Sequence, residues 1–399
     1  MAEAALEVAK EEGRRIKPGM LPFSDTVYAD RLVLVQSEME ARGCDGLLLF
    51  NPENMFWLSG YQTIGYFTFQ TMYVPRDGKP VIIARIVNRD LALAYSTIGS
   101  FEAIVDTDEP LEILSRYLND AVRDDAKLGL ETGSWYLTVR DYQRLEAGLN
   151  CQLTDCNGII EPHRMVKSEA ELTCIRRACR AAEAGLDAAI RAVAPGRTEN
   201  DLAAAMFQAS IAAGSEYLGH PPLVVAGEAT SLCFAMWRRR EIARGDVVLL
   251  ESAGCIERYH GILARPVVVG APNDRHKMAA DALHGILETA IEAIEPGLTA
   301  GEVDLICRRR AEEKGLGAHF RSRAAYGIGI GFPPNWSEGH IYSIRPDDPL
   351  VLQPNMTFHV IPTLFFDDFG MCFSDSVRVT ETGAEVLTDY PRELFVVDA

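Results

Sequence analysis

Long apolar runs are missing from this chain. No stretch of its 399 residues reaches the roughly 18 apolar positions that a membrane-spanning helix needs, so no membrane segment is expected. The opening Met1–Arg15, MAEAALEVAKEEGRR, has no apolar h-region, so no secretory leader is expected. Positive charge is scarce: 39 Lys and Arg face 57 Asp and Glu, for a net charge of −18. Such a surface is solubilising and repels phosphate backbones, which argues against nucleic acid as a partner. The nine cysteines are scattered without a CxxC pair and read as reduced thiols in a cytoplasmic protein. Cys174, Cys179 and Cys307 fall inside helical patterns and read as small core residues.

What is present is an ordinary globular composition, 48% hydrophobic and 24% charged, in a chain longer than one core usually covers. Two domains follow. Residues 1–160 alternate helix and strand signals. Tyr28, Leu32, Val35 and Met39 share one face of a helix over Asp25–Arg42 that Gly43 ends. Strand-like runs follow at Gly46–Phe50, Thr71–Val74, Val81–Ala84 and Leu128–Leu130. Helical patterns lie at Asn88–Tyr95, Glu109–Val122 and Leu137–Ala147. This describes an α/β domain with a mixed sheet.

Residues 161–399 form a second domain. Ser168 and Glu171 make a capping box for a long helix striped by Leu172, Ile175, Cys179, Ala182, Leu186 and Ile190. Pro195-Gly196-Arg197-Thr198 then returns as Pro296-Gly297-Leu298-Thr299, each between a long helix and a second helix opened by Thr. Strand signals follow each unit, at Pro222–Ala226 and Val247–Leu250, then at Met356–Pro362 and Phe373–Val379. Two helix–helix–strand halves related by a pseudo-twofold axis are expected, their strands merging into one curved sheet. The cleft between such halves is the default site.

Several blocks carry a resemblance. Arg244–Gly254 (RGDVVLLESAG) with Gly261–Arg265 (GILAR), Leu352–Phe358 (LQPNMTF) and Val377–Gly383 (VRVTETG) are similar, in order and spacing, to the creatinase–aminopeptidase P–prolidase family. The resemblance covers nearly the whole chain. It implies an N-terminal creatinase-like α/β domain, a C-terminal pita-bread domain and a homodimer. It also implies a two-metal site in the family's peptidases, held by two Asp, one His and two Glu. Here those positions fall on Glu251 and Ile262, near Tyr326, and on Ile361 and Ser374, so no metal and no cofactor is expected. The family's His before the Gly-Asp block falls on Phe234. The segments Glu251–His260, Thr357–His359 and Gly329–Trp336 resemble the metal-free branch of ectoine hydrolases and creatinase.

The resemblance therefore implies a metal-independent hydrolase of a C–N bond in a small nitrogenous compound: first a cyclic amidine, second a guanidino acid. A non-catalytic binding protein on a peptidase scaffold is a competing reading, and a metallo Xaa-Pro peptidase is a third. Glu251, at the end of an apolar strand, is expected as base or nucleophile. His359 and His260 are candidate proton donors. Tyr259 and Tyr326 are candidates to orient the substrate, and Trp336 to stack on a planar cation. Arg265 and Arg323 could hold a substrate carboxylate, although a structural ion pair is the commoner fate of such arginines. Tyr66 and Thr68 lie in an aromatic run, Tyr61–Gln70, where a dimer partner would close the site, or which packs within its own domain.

Overall fold

The computed structural model describes residues 21–398. The N-terminal segment Met1–Arg15 lies outside the described residues. The chain divides into two compact units between Pro162 and His163.

The first unit is built on a six-stranded mixed sheet, ordered β4-β3-β2-β1-β5-β6. The strands are β1 (Gly46–Leu49), β2 (Gln70–Pro75), β3 (Val81–Arg85), β4 (Ser100–Ile104), β5 (Lys127–Leu130) and β6 (Gln152–Asp155). Among the described residues five helices accompany it: α1 (Asp25–Ala41), α2 (Pro52–Ser59), α3 (Arg89–Ala94), α4 (Pro110–Ala121) and α5 (Val139–Gly148). Strand β1 pairs antiparallel with β2 and parallel with β5, so the continuous apolar run Leu47–Phe50 is buried on both faces. Leu48, Phe50, Ile83, Leu114, Leu128 and Leu130 share one core cluster. The edge strands β4 and β6 escaped the sequence reading because their alternation is only half-buried and polar.

A short helix, α6 (Glu161–Met165), precedes the long α7 (Glu169–Ala192), which begins at the expected capping box of Ser168 and Glu171. The two repeats named from sequence are alike in detail. Thr198 caps α8 (Glu199–Ala212) through a box with Asp201, and Thr299 caps a later helix (Ala300–Glu313) through a box with Glu302. Gly196 and Gly297 both take left-handed backbone, φ 82° and 94°, where a side chain would be strained.

The strands of the second unit do not merge into one sheet as expected. A four-stranded sheet pairs β7 (Leu223–Ala226), the long hairpin β8 (Val247–Ile256) and β9 (Tyr259–Val269), and the C-terminal strand Phe395–Val397. After α9 (Asp274–Ala293) and α10 (Ala300–Glu313), a five-stranded sheet contains β10 (Ala325–Gly327), β11 (Ser343–Ile344), β12 (Thr357–Val360), β15 (Asp375–Val379) and β16 (Ala384–Val386). Strands β13 (Thr363–Phe365) and β14 (Gly370–Cys372) make a separate ribbon. Isolated bridges at Ala264–Ser374 and Tyr259–Ile330 link the two larger sheets.

The β8–β9 hairpin is buried along its whole length. Alternation sorts its side chains. Val248, Leu250 and Leu263 join Ala182, Leu186 and Leu202 of α7 and α8, whereas Leu249 and Ala264 pack with Val225 and Cys372. Gly254 and Gly261, opposite each other in register, let the backbone of α7 press against the hairpin, where a Cβ would strike Ala178 and Cys179. The hairpin turns through Glu257 and Arg258, both at positive φ (49° and 65°), the geometry of a two-residue primed turn. Arg258 is fully buried there and donates to the carbonyls of Tyr217 and Gly331.

Candidate active site

Glu251 lies on the hairpin face that carries Leu249 and Ala264, opposite the face packed on α7. Its register partner is Ala264, which is bridged in turn to Ser374. On the other sheet, Tyr326 of β10 stands directly opposite His359 of β12. Facing residues of an antiparallel pair project to one side. Four elements thus converge. Tyr326 Oη donates to Glu251 Oε1 at 3.3 Å, Trp336 Nε1 donates to Tyr326 Oη at 3.2 Å, and His359 Nδ1 lies 2.7 Å from the same oxygen. His359 Nε2 lies 2.6 Å from Ser374 Oγ.

Glu251 is buried, and among the described residues it pairs with no Lys or Arg. Burial pushes its carboxyl up to about 7, while the hydrogen bond from Tyr326 opposes the shift. His359 stands 3.8 Å from the carboxylate, but burial and then the Arg265 charge hold it down to about 3, so the ring is neutral. Burial, and then the charge of Glu251, raises Tyr326 and Cys372 well above their usual ranges. The surroundings are aliphatic: Ile361 packs on Val225, Leu249, Ala264 and Cys372, and Ile262 is buried opposite Ala253.

Several expectations need correction. Arg265 projects from the other face of β9, is fully buried and is ion-paired to Asp375 at 2.9 Å; it also donates to the carbonyls of Ser374, Tyr390 and Pro391. No donor remains for a substrate. Asp375 is consumed by the same network, through Arg392 and Thr388. Arg323 donates to the Gly339 carbonyl and Ser343 Oγ, tying a loop together. Tyr259 is buried with its hydroxyl on Glu171 Oε1 at 2.6 Å, bracing the start of α7.

His260 pairs with Cys255, four residues along the ladder from Glu251, or about 13 Å at ~3.3 Å per residue. Its Nε2 accepts from Gly219 N, and burial followed by the Arg258 charge holds it well below its ordinary value, so it is no proton donor to this site. Trp336 is buried and holds Tyr326 by its indole N–H, with the His220 ring 4.8 Å away; it offers no free face for stacking. Phe234 is 76% exposed at φ 62°, in the loop whose Cys233 thiol is raised by burial and by the Glu251 charge. That places the loop beside the carboxylate. In the first unit, Tyr66 is buried edge-on to Tyr136, and Thr68 donates to the Gly65 carbonyl; the exposed members of that run are Ile64 and Phe67.

Ser374, Cys372 and His220 were not read as site residues. Ser374 could have been found, since it occupies an implied ligand position. Cys372 and His220 carry no sequence signal and reach the site only through the fold.

Comparison with known proteins defines the class. Residues 173–381 match the model of metallopeptidase family M24, and residues 31–166 match the creatinase/prolidase N-terminal domain. The chain belongs to this creatinase–aminopeptidase P family. It is similar to an ectoine hydrolase of Halomonas elongata, 28% identical over 94% of this chain and 98% of that one. It is also similar to an uncharacterized hydrolase/peptidase, y4tM, of Sinorhizobium fredii, 30% identical over 95% and 100%. Among solved structures, a prolidase from Thermococcus sibiricus has the same fold, with a TM-score of 0.84 at 21% identity, covering 93% of this chain and 99% of that one.

The family name implies metal, and the residues present do not fit it. Of the five implied ligand positions only Glu251 is a carboxylate, two are aliphatic, and Tyr326 and Ser374 are hydrogen-bonded to His359. Among the described residues no three His, Cys, Asp or Glu side chains gather to hold an ion. Nor is any helix among them long and apolar enough to cross a membrane.

Proposed function

We propose that this protein is a metal-independent hydrolase of a C–N bond in a small nitrogenous compound, with a cyclic amidine such as ectoine as the first candidate substrate. One observation carries the reading: Glu251 is a buried carboxylate with no cationic partner among the described residues. A charge placed there is costly unless a ligand supplies the counter-charge, and an amidinium does so through charge-assisted hydrogen bonds. The aliphatic wall of Ile262 and Ile361 suits the hydrocarbon part of a compact ring. Similarity to the ectoine hydrolase supports the same substrate class.

In the chemistry, Glu251 takes a proton from water as water adds to the amidinium carbon. The tetrahedral adduct then collapses, the C–N bond breaks, and Glu251 returns the proton to the leaving nitrogen. A group near 7 serves both steps, whereas the two histidines are held neutral. Direct attack by Glu251 on the same carbon is the variant of this scheme, with water hydrolysing the adduct. The protein is proposed to act as a homodimer, consistent with Ile64 and Phe67 standing exposed on the first unit.

The test is turnover of ectoine, hydroxyectoine, creatine and an Xaa-Pro dipeptide by chelator-treated wild type and Glu251→Gln, followed by proton NMR. Cleavage of a C–N substrate by wild type alone is expected. Silence until manganese is added, followed by dipeptide cleavage, would sink the proposal.

A further inference from the structure

Tyr326 has one hydroxyl proton and three polar neighbours: Trp336 Nε1, His359 Nδ1 and Glu251 Oε1. A phenol oxygen donates once and accepts up to twice. Trp336 can only donate, so one lone pair is filled. With Glu251 ionised, what remains is a choice between two arrangements. Either Tyr326 donates to Glu251 and receives a proton from His359, or it donates to His359 and leaves the carboxylate without a donor. Glu251 Oε2 accepts no hydrogen bond among the described residues, so in the second arrangement neither oxygen of the carboxylate would have a protein donor.

We propose that His359 and Trp336 are positioning residues that aim the Tyr326 proton at Glu251 Oε1, leaving Oε2 as the oxygen that meets the substrate. The first arrangement requires neutral His359 to carry its proton on Nδ1, with Nε2 accepting from Ser374 Oγ. Every donor then points one way: Ser374 to His359, His359 to Tyr326, Tyr326 to Glu251, with Trp336 entering from the side. The other groups near the carboxylate, the thiols of Cys233 and Cys372, are raised by burial and then by its charge, and supply no competing cation. Burial, and then the Arg265 charge, keep the His359 ring from becoming a second cation. The consequence is regiochemical. One carboxylate oxygen is held by a fixed dipole, so proton transfer or attack runs through the other.

The assignment rests on Glu251 as the reacting group, but it is tested without turnover. Protein labelled with 15N-histidine is examined at pH 8, and His359 is identified among the eight histidines by its loss in His359→Gln. The expected result is the Nδ1–H tautomer in wild type. In Tyr326→Phe the acceptor is gone, so His359 should change to the Nε2–H tautomer and donate to Ser374. An Nε2–H ring or an imidazolium at His359 in wild type would overturn the assignment. An unchanged Nδ1–H ring in folded Tyr326→Phe would also overturn it, because something other than Tyr326 would then set the tautomer. The expected tautomers in a protein that turns over nothing would support this assignment while counting against the hydrolase reading.

Discussion

Each unit of the molecule buries one glutamate whose carboxyl is pushed up to about 7, and the two could hardly be used more differently. Glu131, in the first unit, accepts from the backbone N–H of Phe50 (2.6 Å) and Asn51 (2.8 Å) and from Asn54 Nδ2, where α2 begins. Burial, and then the neighbouring charge of Glu161, raises it against those donors. Glu251 has a single donor at 3.3 Å. The same titration range arises twice, yet only one carboxylate lacks enough donors for its lone pairs. A displaced pKa locates a buried charge. Its unfilled hydrogen-bonding capacity shows whether that charge serves a helix end or a ligand.

Substitution breaks the comparison most sharply. Glu251→Gln should lower kcat on a C–N substrate by roughly 10²- to 10⁴-fold while leaving the melting temperature equal or higher. Glu131→Gln should do the reverse, since its amide N–H₂ meets N–H donors: about 2 kcal/mol of stability lost in denaturant titration, with kcat of the folded fraction retained. Next in size is the pH response. Both carboxyls bind a proton more tightly folded than unfolded, so their stabilising effect is full below about 4.5. It is lost as pH rises through about 7, by an order-of-magnitude ~3 kcal/mol each. Unfolding at pH 5 and pH 8 should show the loss, and each Gln variant should remove its own share. Activity has the opposite sign: kcat/KM should rise with pH through about 7 as Glu251 ionises. Tyr326→Phe is expected to cost about tenfold in kcat and to move that limb to higher pH, because the bond that holds Glu251 down is gone. The smallest expected effect is that of a chelator, which should leave turnover unchanged.

Much of this arrangement was legible before any coordinates. Helix starts at Ser168, Thr198 and Thr299 follow from local chemistry, whereas Glu251 and Tyr326 come from their places in the family resemblance, and His359 from sharing strand parity with Ile361. Misreadings arose where strand parity needs a partner to become meaningful. Arg265 is one residue from site-facing Ala264 and so points away, into Asp375. His260 has the right parity but lies too far along the hairpin. Tyr259 is claimed by Glu171, 88 residues earlier in the chain. None of these is a local property. The aliphatic pair Ile262 and Ile361 argues against the family's metal set from the sequence alone, because the loss of a ligand atom, unlike a side chain's direction, is visible in the residue type itself.

The two-residue turn at Glu257 and Arg258 has a reach beyond its own geometry. It sets the phase of the hairpin, and phase in a strand is binary. One residue added or removed between Ser252 and the turn would exchange the two faces of β8. Ser252, which now donates to the Ala182 carbonyl, would face Tyr326 and His359, and the carboxylate would be driven against α7. Whether this fold presents an acid to a ligand or to a helix is therefore decided by counting, from a turn that begins six positions after Glu251.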